Sequence, residues 1–193
     1  MSLAALEAYL LQHGRDWERY AYIKARVVNP WDDADGLYRD VLRPFIYRRY
    51  LDYGVFSSLR EMKAMIAAEV EKKEYRANLK LGPGGIREIE FIVQALQLVR
   101  GGTVLGLRQQ QLLRALPQLV QAGCLPAADA ADLETAYCFL RHAENRVQAL
   151  HDRQTHDIPA DPLDQQRLAF AMGMAGWDEF LADWYSPLTP TIG

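Results

Sequence analysis

The chain has 193 residues, half of them apolar, with 22 Lys and Arg against 25 Asp and Glu for a net charge of −3. That length is enough for one ordinary domain with a real core. The slight acidity argues against nucleic-acid and membrane-surface roles, which call for a large basic field, and no run reaches the roughly 18 apolar residues of a membrane-crossing helix.

No basic region followed by an apolar run opens the sequence, so no secretory signal is read and the expected compartment is the cytoplasm. Cys124 and Cys138 fit a reducing environment. Their spacing matches no CxxC redox or zinc pattern.

Leu3, Leu6, Leu10, Trp17, Tyr20 and Ile23 recur with helical phase. Gly14 interrupts this segment and Asn29-Pro30 ends it. Asp16 with Arg19 and Glu18 with Tyr22 read as helix-surface pairs. Trp17, Tyr137, Phe139 and Trp177 read as core aromatics. A loop with Asp32, Asp33, Asp35 and Gly36 follows. A second helix spans about 37–52, kinked or broken at Pro44. A third spans about 59–73, capped by Ser57 or Ser58, and ends in a solvated charged run. Residues 78–81 read as short and extended.

The next helix runs from 86 to 100 and stops at Gly101-Gly102. Another covers 107–121, with Pro117 inside it and Gly123 beyond. The longest covers 127–150, with a stripe of Leu133, Tyr137, Leu140, Val147 and Leu150. Short helices at 163–172 and 177–184 follow. No run alternates with period two. The expected fold is therefore all-α, an irregular bundle of about seven helices with little or no sheet. The division read from the sequence is residues 1–30, a bundle domain over 31–185, and an atypical tail, SPLTPTIG, over 186–193. The tail suggests a frame difference or a truncated product.

The most informative stretch is NLKLGPGGIREIEFIVQ, residues 78–94. A glycine-rich turn runs straight into a helix whose first turn carries Arg87, Glu88 and Glu90, and whose remaining residues are mostly apolar. Acidic side chains there complement the exposed N–H groups. Arg87 and Glu90 fall on neighbouring faces and Glu88 points elsewhere. These three either line a cleft or form a structural pairing. Lys24 and Arg26 could reach a phosphate, or simply sit favourably at a helix end. Asp33 and Asp35 have Asp-x-Asp spacing, but they follow Pro30-Trp31 and precede Gly36, so they read as a solvated loop rather than a metal-holding strand. Glu144 and Arg146, on an otherwise core-facing helix, suggest a buried polar network. His151 and His156 match no standard zinc spacing, and no metal ligands are assigned.

Residues 78–94 resemble a signature of the glutamine synthetase adenylyltransferase family, bifunctional enzymes that add AMP to glutamine synthetase and remove it. Further matching blocks occur in the same order: GRDWERYAYIKAR (14–26), PFIYRRYLDYGVFSSLREMK (44–63), FLRHAENRVQAL (139–150) and QTH (154–156). The resemblance reaches about residue 184. A looser signature recurs in uridylyltransferases that modify the PII signal protein.

The resemblance implies that residues 1–30 hold the helix leaving a nucleotidyltransferase core whose Gly-Ser turn and metal-binding carboxylates are absent from these residues. Arg87, Glu88 and Glu90 then become cleft-lining catalytic candidates, and Lys24 and Arg26 cofactor-binding candidates. It implies the AMP-removing half, Mg²⁺ and ATP or ADP in the full-length enzyme, none of them bound by this chain alone, and glutamine synthetase and PII as partners. The isolated chain is expected to be inactive. The alternatives are a non-catalytic module docking PII or glutamine synthetase, or a uridylyltransferase helical segment.

Overall fold

The computed structural model describes residues 2–28, 34–48 and 77–185, with 61, 64 and 68 as isolated helical positions. Asp33, Ser57, Ser58, most of the expected 59–73 helix and the SPLTPTIG tail lie outside the described residues. The described chain is all-α, with one isolated antiparallel bridge between Asn78 and Asp157 as its strand-like pairing. Among the described residues no helix is long and apolar enough to cross a membrane. The chain groups into two compact units, 1–64 with 92–125 and 65–91 with 126–193.

The first unit opens with α1 (Leu3–Gln12) and α2 (Asp16–Tyr22). Ser2 caps α1 through the Ala5 N–H. The break falls at Gly14, where a Cβ would meet Leu10 O and the Phe45 ring, both at 2.4 Å. One expected helix is therefore two.

Two expectations fail here. Arg19 is no surface residue: it is 1 % exposed and donates to the Phe45 and Ile46 carbonyls as well as to Asp16. Glu18 pairs with Tyr9 and the Arg15 N–H, both at or below 3.0 Å. Trp17, expected in the core, is 57 % exposed.

A short α3 (Ala34–Gly36) continues through a π-helical turn (Leu37–Leu42) into α4 (Arg43–Ile46). Pro44 has no N–H to donate, and the wide turn ahead of it accommodates that loss. Tyr47 and Arg48 are no longer helical. Leu10, Ile23, Leu42, Phe45, Ile46, Tyr47 and Leu98 form this unit's core. Its last helix, α6 (Leu112–Gln121), starts later than the pattern suggests, after a 3₁₀ turn at Leu105–Leu107. It ends at Gly123, φ 66°, with Cys124 N donating to Leu119 O, the usual left-handed stop.

Helix α5 (Ile86–Arg100) contributes residues to both units. The second unit adds α7 (Ala127–His151), α8 (Pro162–Ala171) and α9 (Trp177–Tyr185), which pack on one another. Phe180 is fully buried, stacked on Trp177 at 4.8 Å and 5.4 Å from Phe139. On α7 the buried stripe is Ala136, Leu140, Ala143 and Val147, with Glu144 among them. Arg146, expected in a buried network, is exposed.

Candidate functional site

The glycine turn is built by its own backbone. Leu79 O accepts from Ile86 N and Lys80 O from Arg87 N, both at 3.1 Å. The first orphan N–H groups of α5 are thus satisfied by the turn that precedes them. Gly85 sits inside this cage. A Cβ there would lie 2.8–2.9 Å from the carbonyl oxygens of Gly82, Leu79 and Lys80. Gly84 has φ 67°, the left-handed region that glycine enters without strain.

The three first-turn charges separate in role. The Glu88 carboxylate folds back and accepts from Gly84 N at 2.9 Å, closing the turn. Arg87 is exposed. Glu90 is half-buried and accepts from the Tyr137 hydroxyl on α7 at 3.4 Å. Burial first, and the Glu90 charge second, push the Tyr137 phenol above its ordinary value.

Ahead of the turn, Asn78 is buried, and its side-chain oxygen accepts from Lys80 N and Leu81 N. Its amide donates to Asp157 at 2.6 Å. Leu79 N donates to His156 O and Ile158 N to Ala77 O, closing the bridge. This is an Asx turn clamped to a distant segment.

Next to it lies a cluster that the sequence pattern only half revealed. Glu144 is 3 % exposed. Its carboxylate sits 2.7 Å from Arg141 Nη1, 2.8 Å from His156 Nδ1 and 3.9 Å from Lys80 Nζ. The His156 approach is short but not aligned as a hydrogen bond. A buried carboxylate persists only when paired, and here basic groups from three segments supply that pairing. The signal for Glu144 was an acid placed between Leu140 and Val147 on the apolar face. Lys80 gave no such signal, because its partner is remote in sequence, whereas Arg141 stands only three positions before Glu144 on α7.

Lys24 and Arg26 belong to the first unit. Both lie past the end of α2 and are exposed. The Arg87–Glu90 turn belongs to the second unit. Asp35 falls in α3. Among the described residues no three His, Cys, Asp or Glu side chains could hold a metal ion. A recess of about 140 Å³ in the first unit, lined by residues including Glu7, Asp40 and Arg48, is smaller than the roughly 300 Å³ and above typical of ligand pockets.

The family model for GlnD PII-uridylyltransferase matches residues 60–189, and that for glutamate-ammonia ligase adenylyltransferase matches residues 1–38. The chain is similar to curated proteins named bifunctional glutamine synthetase adenylyltransferase/adenylyl-removing enzyme. It is 50 % identical to that of Xanthomonas axonopodis pv. citri (strain 306) over 181 residues, covering 94 % of this chain and 19 % of the relative. It is 51 % identical to that of Stenotrophomonas maltophilia (strain K279a) over 178 residues, covering 92 % and 19 %. The chain thus spans about a fifth of the length of these relatives.

Proposed function

The chain belongs to the family of bifunctional glutamine synthetase adenylyltransferase/adenylyl-removing enzymes, and on that premise we propose that it is the helical domain of the adenylyl-removing half. Residues 1–30 lead out of a nucleotidyltransferase core supplied in cis. Glutamine synthetase is the substrate and PII the regulatory partner. Both carry out their roles in the cytoplasm.

The reaction is phosphorolysis. A phosphate oxygen attacks the phosphorus of the adenylyl group, and the bond from that phosphorus to the tyrosine oxygen breaks. The tyrosine takes up a proton and AMP leaves as ADP. Mg²⁺ and nucleotide belong to the core. This domain contributes the edge of the cleft. The caged turn fixes where α5 begins, and with it where Arg87 and Glu90 point.

The observation that carries this reading is the cage itself. Carbonyls of Leu79 and Lys80 hold the first N–H groups of α5, leaving Arg87 exposed and Glu90 half-buried beside Tyr137. Glu88 is spent on closing the turn, so Arg87 and Glu90 are the better cleft candidates. The test is Glu90→Gln in the full-length enzyme. One preorganised electrostatic contact is worth roughly 2.7–4 kcal/mol in a transition state. The AMP-removal rate is expected to fall by about 10²–10³, with little change in thermal midpoint. A normal rate with a lowered midpoint removes Glu90 from the site.

A further inference from the structure

Among the described residues Glu144 is the one carboxylate that Lys80, Arg141 and His156 all approach. Its charge is consumed unevenly. Arg141 and His156 sit within 2.8 Å, whereas Lys80 Nζ stands off at 3.9 Å. The Lys80 and Arg141 side chains are 39 % and 42 % exposed, while that of Glu144 is 4 % exposed. Among the described residues the Lys80 ammonium has no hydrogen-bond acceptor, and the guanidinium uses one nitrogen on Glu144. A buried anion thus tethers two cations whose side chains stay partly exposed. Lys80 also belongs to the clamped turn, two residues before Gly82. Glu90 lies against Tyr137, whose phenol also senses Arg141 and Glu144. The Lys80 and Arg141 charges are balanced locally by the Glu144 carboxylate. Directed N–H groups, and not a net field, are what this arrangement offers an anion.

We infer that Glu144 is a positioning residue that acts through Lys80 and Arg141, presenting their N–H groups to the oxygens of a phosphoryl group. The inference rests on the reading of the glycine turn as a cleft edge, and it adds the ligand chemistry and the residues that meet it. The phosphoryl group has two possible sources, free phosphate and an adenylyl phosphate. Arg meets such a group with a fork of donors, and Lys with a point charge.

The test is direct titration of the 193-residue chain with inorganic phosphate and, separately, with AMP. Binding is followed by the NMR signals of the Arg141 Nε–H and the Lys80 side chain. This measurement is independent of turnover, so it stands or falls separately from the Glu90→Gln rate. Saturable shifts with phosphate alone assign the site to the free anion, and shifts with AMP assign it to the adenylyl phosphate. Lys80→Gln, at an exposed position, should weaken binding about tenfold, the scale of one lost charge-assisted hydrogen bond. Glu144→Gln should weaken it to a similar extent, with Glu144→Asp recovering part of the loss. No saturable shift with either ligand overturns the inference. So does unchanged binding by Lys80→Gln, or a Glu144→Gln chain that melts earlier yet binds normally.

Discussion

The phenol of Tyr47 is 3 % exposed, and among the described residues its hydroxyl has no hydrogen-bond partner. Arg108 lies over its ring at 5.4 Å, anchored on Gly101 O. Burial raises this phenol well above its ordinary value, with Tyr38 adding to the rise. The folded protein therefore keeps a proton that the unfolded chain releases near pH 10. The stabilisation is fully present below that pH and is lost as pH rises further. Tyr137 shifts in the same direction. Tyr47→Phe removes a buried donor with no partner, which is near neutral or favourable at pH 7, within about 1 kcal/mol. Urea melts from pH 7 to 11 should show a shallower alkaline decline than in the parent. Identical slopes would place the alkaline sensitivity elsewhere. Nothing in the sequence marks Tyr47, because its burial depends on Gly101, where a Cβ would meet the Tyr47 ring at 2.5 Å.

The turn from Gly82 to Gly85 is the element on which the site depends. Three backbone carbonyls within 2.9 Å leave no room for a methyl at Gly85, and backbone cannot step aside as a flexible side chain can. Gly85→Ala should cost about 1–3 kcal/mol, the usual scale of overpacking. Its thermal midpoint should fall, and the Leu79–Ile86 and Lys80–Arg87 hydrogen bonds should open. An unchanged midpoint would mean that the cage is loose. The helix after this turn was legible from end to end, since its apolar spacing and flanking glycines are local signals. Other elements were less legible. The Leu3–Ile23 periodicity runs on through Gly14, yet the helix stops short of it, at a position where Phe45, far along the chain, leaves no space for a side chain. The 37–52 pattern hid a π-helical turn, since the position of Pro44 signals a lost hydrogen bond but not which geometry absorbs it. Arg19 read as a surface partner of Asp16. It keeps that partner, but it is buried and donates as well to the carbonyls of Phe45 and Ile46, 26 and 27 positions away.

At the scale of the whole molecule, no Gly-Ser pair occurs in the 193 residues ahead of the Asp33-Ala34-Asp35 spacing. Nucleotidyl transfer relies on metal ions and positioning. The purified chain, mixed with adenylylated glutamine synthetase, phosphate and Mg²⁺, is therefore expected to release no ADP. Turnover that disappears with Asp33→Asn and Asp35→Asn together would reassign that acidic segment as a site. The pairing of Asn78 with Asp157 spans 79 positions, and this sets an order of events during folding. Bringing such distant points together costs roughly 4 kcal/mol of chain entropy on the logarithmic scale. The two flanking backbone bonds, Leu79 N to His156 O and Ile158 N to Ala77 O, supply only about 0.5–1.5 kcal/mol each. Closure therefore waits until α7 has formed and shortened the distance to be searched. In the native state, the amides of Leu79 and Ile158 should exchange with solvent at a common rate, faster than amides in the middle of α7. If they proved the slowest amides in the chain, the clamp would instead be where folding starts.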